Sequence, residues 1–321
     1  MRATQRRPVT RITLGRPAVR RPDTLVGEEP LEIRVGGASL AVTMRTPGHD
    51  VELALGYLVA EGVVATSEDV VTSRFCAGVG PDGENTYNVL DVTLAPHVPP
   101  PGAELVRRVT TSSACGVCGR TSIDQVRTAS RYAVEGDATT IPVERLLAYP
   151  DALRADQELF DRTGGLHAAA LFDNATGERL VLREDVGRHN AVDKVVGWAV
   201  ASGRLPLAGC TLQVSGRASF ELVQKASTAG IPVLSAVSAP SALAVDLAVE
   251  VGMTLVGFVR GESLVVYSRP DRVLLDERPG VAATQPGRGP NTATPSSTPT
   301  PSVSAPISNV VRRENSTRRS S

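Results

Sequence analysis

The sequence has few cysteines, almost no lysine and no long apolar run. Its four cysteines show no framework typical of a disulfide-stapled secreted domain, which favours a reducing compartment. The most apolar stretch, Leu243 to Val259, is interrupted by Asp246 and Glu250, so a membrane span is excluded. The Arg6-Arg7 pair near the start is followed by further arginines instead of an apolar segment, so we reject a twin-arginine signal. These absences predict a cytoplasmic protein.

The sequence has no excess of positive or negative charge. The 34 Lys and Arg residues balance 34 Asp and Glu residues, which gives no overall argument for a nucleic acid or an anionic membrane as partner. Lysine occurs only at positions 194 and 225, so arginine supplies nearly all the positive charge. Arginine suits bidentate contacts to phosphate and carboxylate, although a genomic bias in composition explains the excess equally well.

Composition and periodicity divide the 321 residues into four predicted parts. Residues 1–24 are basic and without period, which predicts a disordered lead-in. Residues 25–162 combine alternating strand patterns with helical ones and predict a smaller N-terminal α+β part that carries a Cys-x-x-Cys loop. Residues 163–278 form the predicted α/β cofactor-binding domain. Residues 279–321, rich in Pro, Thr and Ser, predict a disordered tail.

The fold class follows from the order of elements after Leu166. Predicted strands alternate there with predicted helices of about ten residues, the pattern of βαβ units. We therefore expect an α/β protein with a mixed, largely parallel sheet that is flanked by helices on both faces.

Two cysteines, Cys115 and Cys118, lie in a run without helical or strand period, which predicts an exposed loop. Gly116 and Gly119 permit backbone conformations that present both thiols on one mobile turn. Positive charge nearby stabilises a thiolate and lowers the pKa of a cysteine. The arginines that supply this charge are Arg107, Arg108 and Arg120. The run therefore predicts sulfur chemistry.

Other interpretations of the cysteine pair stay open. Cys-x-x-Cys is half of a structural zinc site, but Cys76 and Cys210 are single and the histidines form no spaced pair. A thioredoxin-like dithiol would open a helix within a βαβ unit, and the residues after Cys118 make a poor first turn. A buried, unreactive pair fits badly with so many Gly, Ser and Thr neighbours.

Three polar segments follow predicted strands of the second half, at residues 183–190, 215–219 and 258–263. Ligands in open α/β sheets bind outside the carboxyl ends of the strands, so we predict a shared pocket for a phosphate-bearing ligand. Ser215, Gly216, Arg217 and Ser219 precede a predicted helix, whose N-terminus offers free N–H groups. Each segment is also explained as an ordinary turn with a capping residue. His167, alone in an apolar run, is more often structural than catalytic.

Several motifs occur along the chain in a consistent order. They are Glu28-Glu-Pro-Leu, Thr46-Pro-Gly, Glu52-Leu-Ala-Leu-Gly-Tyr, Glu61-Gly, Ser112-Ser-Ala-Cys-Gly-Val-Cys-Gly119, Thr163-Gly-Gly-Leu-His-Ala-Ala, Glu184-Asp-Val-Gly-Arg-His-Asn-Ala-Val-Asp-Lys194, Ser215-Gly-Arg, Glu221-Leu-Val-Gln-Lys-Ala, Ser238-Ala-Pro and Gly257-Phe-Val-Arg260. With these motifs, the sequence resembles the FdhD family, the sulfur-carrier accessory proteins of formate dehydrogenase. The run that begins at Glu184 is the most specific of them.

The resemblance implies a sulfurtransferase that works through a cysteine persulfide. A cysteine desulfurase would load sulfur onto Cys115, with Cys118 as its partner, for delivery to the molybdenum of bis-molybdopterin guanine dinucleotide. The cofactor would then enter the formate dehydrogenase apoenzyme, and a homodimer is expected. The cofactor-binding residues predicted from the motifs and the sheet edge are Arg188, His189, Ser215, Gly216, Arg217, Phe258, Val259, Arg260, Gly261, Glu262 and Ser263.

The resemblance also implies a cytidine-deaminase-like fold for the second half. Deaminases hold zinc with a His or Cys and a Pro-Cys-x-x-Cys motif. The corresponding helix starts here are Arg188-His-Asn-Ala and Ser215-Gly-Arg-Ala-Ser, which lack paired cysteines. We therefore expect neither zinc nor deaminase activity. The alternative function is a non-catalytic molybdenum-cofactor chaperone whose cysteines bind metal or a partner.

Overall fold

A computed structural model describes residues 2–76, 87–102 and 130–275. The strands are β1 (Thr4–Arg11), β2 (Val19–Val26), β3 (Glu29–Val35), β4 (Ala38–Arg45), β5 (Val70–Cys76), β6 (Val89–Leu94), β7 (Ile141–Pro142), β8 (His167–Asp173), β9 (Arg179–Asp185), β10 (Cys210–Val214), β11 (Val233–Ala236), β12 (Thr254–Arg260), β13 (Ser263–Ser268) and β14 (Val273–Leu274). The helices are α1 (Asp50–Ala60), α2 (Val143–Ala155), α3 (Glu158–Thr163), α4 (Arg188–Ala201), α5 (Phe220–Thr228) and α6 (Ala242–Glu250).

The second half is built on a six-stranded sheet with the strand order β13-β12-β11-β10-β8-β9. The predicted mixed α/β class is confirmed. Within this sheet, parallel pairing is confined to β10, β11 and β12, while β8 with β9, β8 with β10, and β12 with β13 pair antiparallel. The sheet is therefore less parallel than expected, because short turns join β8 to β9 and β12 to β13, and a short turn can connect only antiparallel neighbours.

The first half contains a four-stranded sheet with the order β4-β3-β6-β5. Its β3–β4 hairpin turns at Gly36 and Gly37, whose φ angles of 56° and 83° are in the left-handed region that glycine tolerates. Leu31, Ile33 and Leu90 of this sheet belong to the same buried hydrophobic cluster as Leu212 and Leu255 of the six-stranded sheet. The two sheets therefore share one core. The predicted division at residues 162/163 stays a prediction.

Residues 1–24 were expected to form a disordered lead-in, and this expectation is wrong for the part that the structure describes. Strands β1 and β2 pair antiparallel in eight registered pairs, from Thr4 with Val26 to Arg11 with Val19. The base of the hairpin is fixed where the N–H of Gly27 donates to the carbonyl of Ala3 (2.7 Å). Cross-strand backbone hydrogen bonds order this segment, which has few apolar residues to bury. The predicted tail at residues 279–321 lies outside the described residues.

Helices α1 and α4 lie between the two sheets and pack at very close range. A Cβ atom at Gly56 of α1 would overlap the backbone of Asp193, and one at Gly197 of α4 would overlap the backbone of Glu52. Hydrogen as a side chain is therefore required at both positions. Within the described residues, no helix is both long enough and apolar enough to cross a membrane.

An ion pair between α1 and strand β9 of the six-stranded sheet stabilises the position of α1. Arg183 of β9 binds Glu52 of α1 through two hydrogen bonds, from Nε to Oε2 (2.5 Å) and from Nη2 to Oε1 (2.7 Å). Burial opposes ionisation of Glu52, but Arg183 and His49 outweigh it and lower the pKa of Glu52 to about 2. The carboxylate is therefore charged across the physiological range and ties the first half to the second.

We expect Gly197→Ala to reduce the free energy of unfolding by about 3 kcal/mol, because the added methyl forces the helices apart. The gain in helix propensity from Ala, about 1 kcal/mol, is smaller. Urea unfolding measures the change. Gly136→Ala is the matched control, since a Cβ there meets no atom within 4 Å. Equal effects of the two substitutions would contradict the close packing of α1 and α4.

Candidate functional site

Strands β9, β10, β11 and β12 all end at one edge of the six-stranded sheet. The N–H of Ser238, after β11, donates to the carbonyl of Gly216 (3.3 Å), and the N–H of Phe258 donates to the carbonyl of Ser238 (3.3 Å). Helices α4, α5 and α6 follow three of these strands and begin at the same edge. The predicted common edge is confirmed. We call it the carboxyl edge, comprising residues 186–189, 215–219, 238–241 and 258–263.

The turn at residues 215–219 lies at the centre of the carboxyl edge. Ser215 holds this turn against β8 through two hydrogen bonds to Ala168. The Oγ of Ser215 accepts from the N–H of Ala168 (2.9 Å), and the N–H of Ser215 donates to the carbonyl of Ala168 (3.0 Å). Gly216 faces His167, whose Nδ1 would lie 3.5 Å from a Cβ there. The side chain of Arg217 is exposed. Ser215 therefore has a structural role, while Gly216 and Arg217 remain available to a ligand.

A hydrogen-bonded contact between His189 and Glu221 joins the starts of α4 and α5. Nε2 of His189 lies 2.7 Å from Oε2 of Glu221 and 3.3 Å from Oγ of Ser219. Burial favours the neutral form of Glu221, but the hydrogen bond and charge of His189, with Lys225, lower the pKa of Glu221 overall. The carboxylate is therefore ionised at neutral pH and fixes the orientation of the His189 ring.

Two polar atoms, one at the carboxyl edge and one in the first turn of α5 beside it, have unused hydrogen-bonding capacity. Nε of Arg188 and Oε1 of Glu221 are buried and have no hydrogen-bond partner among the described residues. Each such atom costs about 1–3 kcal/mol unless a ligand or an ordered water binds it. His167, nearby, has its pKa lowered by burial and by the positive charges of Arg188 and His189. The neutral form of His167 is favoured, which makes one ring nitrogen an acceptor.

The segment at residues 258–263 borders the carboxyl edge on the β12 side. Phe258 has a φ of 53°, which a residue with a side chain adopts at an energetic cost and mostly where the surroundings demand it. The guanidinium of Arg260 lies over the Phe258 ring, 5.7 Å from its centroid. Val259 is fully buried, so only its backbone can meet a ligand. Gly261, Glu262 and Ser263 are exposed.

The start of α4 is held in place by Asp185, the last residue of β9. Its Oδ2 forms an ion pair with Nζ of Lys194 (2.7 Å), and both side chains are almost completely buried. The same carboxylate accepts from the N–H of Thr46 (3.1 Å), the N–H of Gly187 (2.8 Å) and Nδ2 of Asn190 (2.9 Å). Arg188 and His189 follow Asp185 by three and four positions, so the hydrogen bonds of Asp185 set the position of both residues at the carboxyl edge.

Comparisons with known proteins identify the family to which the chain belongs. The model of the FdhD/NarQ family matches residues 26–274 of the chain. The chain belongs to the FdhD/NarQ family. The "Sulfur carrier protein FdhD" of Mycolicibacterium paratuberculosis is 58% identical over 273 residues, which cover 85% of this chain and 100% of that protein. The protein of the same name from Streptomyces coelicolor is 59% identical over 278 residues, 85% of this chain and 97% of that protein.

A solved structure shows the same fold. The crystal structure of a proposed formate dehydrogenase accessory protein from Desulfotalea psychrophila superposes with a TM-score of 0.65 at 22% identity and covers 85% of this chain and 100% of that chain. The expected likeness to cytidine deaminases is not tested by this match and stays a prediction.

The predicted catalytic residues of this family member, Cys115 and Cys118, lie outside the described residues. Their roles, and the zinc alternative for the pair, therefore stay open. Within residues 2–76, 87–102 and 130–275, no group of three or more His, Cys, Asp or Glu side chains could hold a metal ion.

Glu221 and Asp185 lie in motifs that carry the family resemblance, but sequence reasoning gave neither of them a role at the site, and it treated His167 as structural. Glu221 pairs with His189 across 32 positions, and only the fold brings two such residues together. Two signals were present in the sequence: Glu221 begins a motif of the family resemblance, and it lies in the first turn of a helix at a ligand-binding edge.

We expect Asp185→Asn to destabilise the protein by about 3–5 kcal/mol, because Lys194 is left as a buried, unpaired charge. Urea unfolding at pH 7 measures the loss. Lys194→Met added to Asp185→Asn should restore part of the stability, since the uncompensated ammonium is removed. Asp271→Asn, at an exposed ion pair with Arg269, is the control and should show no measurable change. Additive losses in the double variant would contradict the proposed pairing.

Proposed function

We propose that the protein is a sulfur carrier that serves the maturation of a formate dehydrogenase. The observation that carries this proposal is membership of the FdhD/NarQ family, with relatives named sulfur carrier proteins that are 58% and 59% identical to it. The Cys-x-x-Cys run is the part of the sequence suited to the task. Within the described structure, the carboxyl edge is the part suited to bind the cofactor that receives the sulfur.

The transfer begins with a thiolate at Cys115. It attacks the outer sulfur of a persulfide on a cysteine desulfurase, so that one S–S bond forms, another breaks and the donor cysteine leaves as thiolate. Attack by Cys118 on the inner sulfur would then release hydrosulfide, with the electron pair of the broken bond, and leave a Cys115–Cys118 disulfide. A cellular dithiol reduces this disulfide and restores the carrier.

The other two cysteines lie in different surroundings. Cys210 is buried at the start of β10, and burial raises the pKa of its thiol to about 11. Almost no thiolate is present there at neutral pH, so Cys210 cannot act as a nucleophile. Cys76 is partly exposed at the end of β5. It serves as an internal control for thiol accessibility.

The carboxyl edge fits the anionic substrate that the proposal requires, bis-molybdopterin guanine dinucleotide. Three helix N-termini and the side chains of Arg188, Arg217 and Arg260 bring positive potential to one edge. Nε of Arg188 is a buried donor without a partner in the described part of the chain. A phosphate oxygen would accept from such a donor. This supports the edge as the binding site of the guanine dinucleotide phosphates.

Incubation with a cysteine desulfurase and cysteine should add one sulfur atom to the peptide that contains Cys115 and Cys118. Intact and peptide mass spectrometry measures the gain, which dithiothreitol should remove. Cys115→Ala should abolish the gain and Cys210→Ala should leave it unchanged. Sulfur on the peptides of Cys76 or Cys210 would contradict the assignment. An unmodified loop in a protein that still binds guanosine diphosphate would favour the non-catalytic chaperone.

Guanosine diphosphate should bind at the carboxyl edge. Arg217→Ala should weaken the affinity for guanosine diphosphate about tenfold, because one charged contact is lost. Isothermal titration calorimetry measures the affinity. Arg204→Ala is the matched control, because Arg204 is also exposed but follows the opposite end of α4. Equal weakening by both substitutions, or no binding by the unaltered protein, would refute this site.

The desulfurase, the formate dehydrogenase apoenzyme and a second copy of the chain stay predicted partners. The cytoplasmic location is likewise a prediction from the sequence.

A further inference from the structure

The β1–β2 hairpin carries most of its residues away from the shared core. It forms a two-stranded sheet of its own. Its base contacts α3 and the segment around Gly27, whereas every residue from Thr10 to Asp23 is exposed. The match to the FdhD/NarQ family begins at residue 26, so nearly the whole hairpin precedes it. Neither the carboxyl edge nor the Cys-x-x-Cys run accounts for this segment.

The hairpin concentrates positive charge that the rest of the described chain does not neutralise. Residues 2–26 contain seven arginines and a single acid, Asp23. The arginines are Arg2, Arg6, Arg7, Arg11, Arg16, Arg20 and Arg21. Among the ion pairs between described residues, none involves these arginines, and Arg7 instead donates to Oε1 of Gln5 (2.9 Å). An anionic partner would therefore find these guanidinium groups available.

One concave surface at the base of the hairpin gathers several of these arginines. Arg2, Arg6 and Arg7 line an open cleft of about 760 Å³ together with Arg162 of α3. Glu29, the acid in its lining, already faces the guanidinium of the buried Arg45 at 3.6 Å. The cleft therefore presents four cations, which suits carboxylates through bidentate contacts.

Apolar side chains stand beside the arginines at the tip of the hairpin. Ile12 is 80% exposed, Leu14 is fully exposed and Val19 is 56% exposed. The register places Val19 opposite Arg11, and Val9 opposite Arg21, on one face. Arginine next to exposed apolar side chains is typical of a protein interface. Residues 2–26 contain no aromatic side chain, on which the bases of a nucleic acid would stack.

The strand edges of the hairpin are blocked. Pro8 and Pro22 face each other in the register, and a proline has no N–H to donate to an added strand. A partner is therefore bound by the side chains of the hairpin and not by extension of its sheet. The chain's own residues 279–321 contain five arginines and one glutamate, so their charge is wrong for this surface. A second hairpin would be repelled for the same reason.

We propose that the β1–β2 hairpin is a docking arm for an acidic segment of a partner protein, with apolar side chains among its carboxylates. The carboxylates bind Arg2, Arg6, Arg7 and Arg162 in the cleft and Arg11 and Arg21 along the arm. The apolar side chains of the partner pack on Ile12, Leu14 and Val19.

A fluorescent ten-residue peptide of alternating Glu and Leu is the probe, and fluorescence anisotropy with the full chain measures its affinity. The double variant Arg11→Glu/Arg21→Glu should weaken binding at least tenfold, a loss of about 1.4 kcal/mol. The matched control Arg74→Glu/Arg204→Glu changes two exposed arginines elsewhere and should bind as the unaltered protein does. A peptide of alternating Gln and Leu should bind at least tenfold more weakly, because it lacks the carboxylates.

Both variants alter exposed side chains, and circular dichroism verifies that they fold. Equal loss of binding in the two variants, or equal affinity for the Glu and Gln peptides, would overturn the proposal. Tighter binding of single-stranded RNA of the same charge, with the same dependence on Arg11 and Arg21, would also overturn it and identify a nucleic-acid surface.

Discussion

The buried pair of Asp185 and Lys194 is the interaction on which the arrangement of the site depends. Two charges without access to water are stable only when each is matched, and here the carboxylate and the ammonium also bind the backbone of Thr46. The pair thus joins the loop after β4, the end of β9 and the body of α4. Since α4 is fixed in this way, its first two residues, Arg188 and His189, are held at the carboxyl edge, where His189 also contacts Glu221 and Ser219.

The carboxyl edge shows the converse arrangement, in which polar groups are only partly satisfied. The first residue before α4 is Gly187, which has no side chain to cap the helix, and Ser219 at the start of α5 directs its hydroxyl to His189. The uncapped N-termini of α4 and α5 and the unpaired Nε of Arg188 are unfavourable unless a ligand binds them. Their cost is tolerable because the packing of α1 on α4 and the Asp185 network supply the stability elsewhere.

The sequence predicted the features that depend on local pattern. The strand-turn-helix units around residues 183–190 and 215–219 were recognisable, and so was the common edge, because the ends of parallel strands meet there. Three features lay beyond such reasoning. The pairing of Glu221 with His189, and the close approach of Gly56 to Asp193 and of Gly197 to Glu52, depend on residues far apart in the sequence. The N-terminal hairpin was mistaken for disorder, since composition measures apolar burial and not the pairing of two polar strands.

The distribution of charge bears on how partners approach. Positive and negative residues balance over the chain, yet residues 2–26 hold seven arginines and one acid, so the remaining residues carry an excess of acid. The excess of acid lies in residues 27–278, since residues 279–321 are basic. An acidic partner is therefore repelled by residues 27–278 and attracted at the hairpin, which orients the encounter before close contact forms. A chain without net charge can in this way select both the partner and its direction of approach. This selection weakens as salt screens the hairpin beyond about 8 Å at physiological ionic strength.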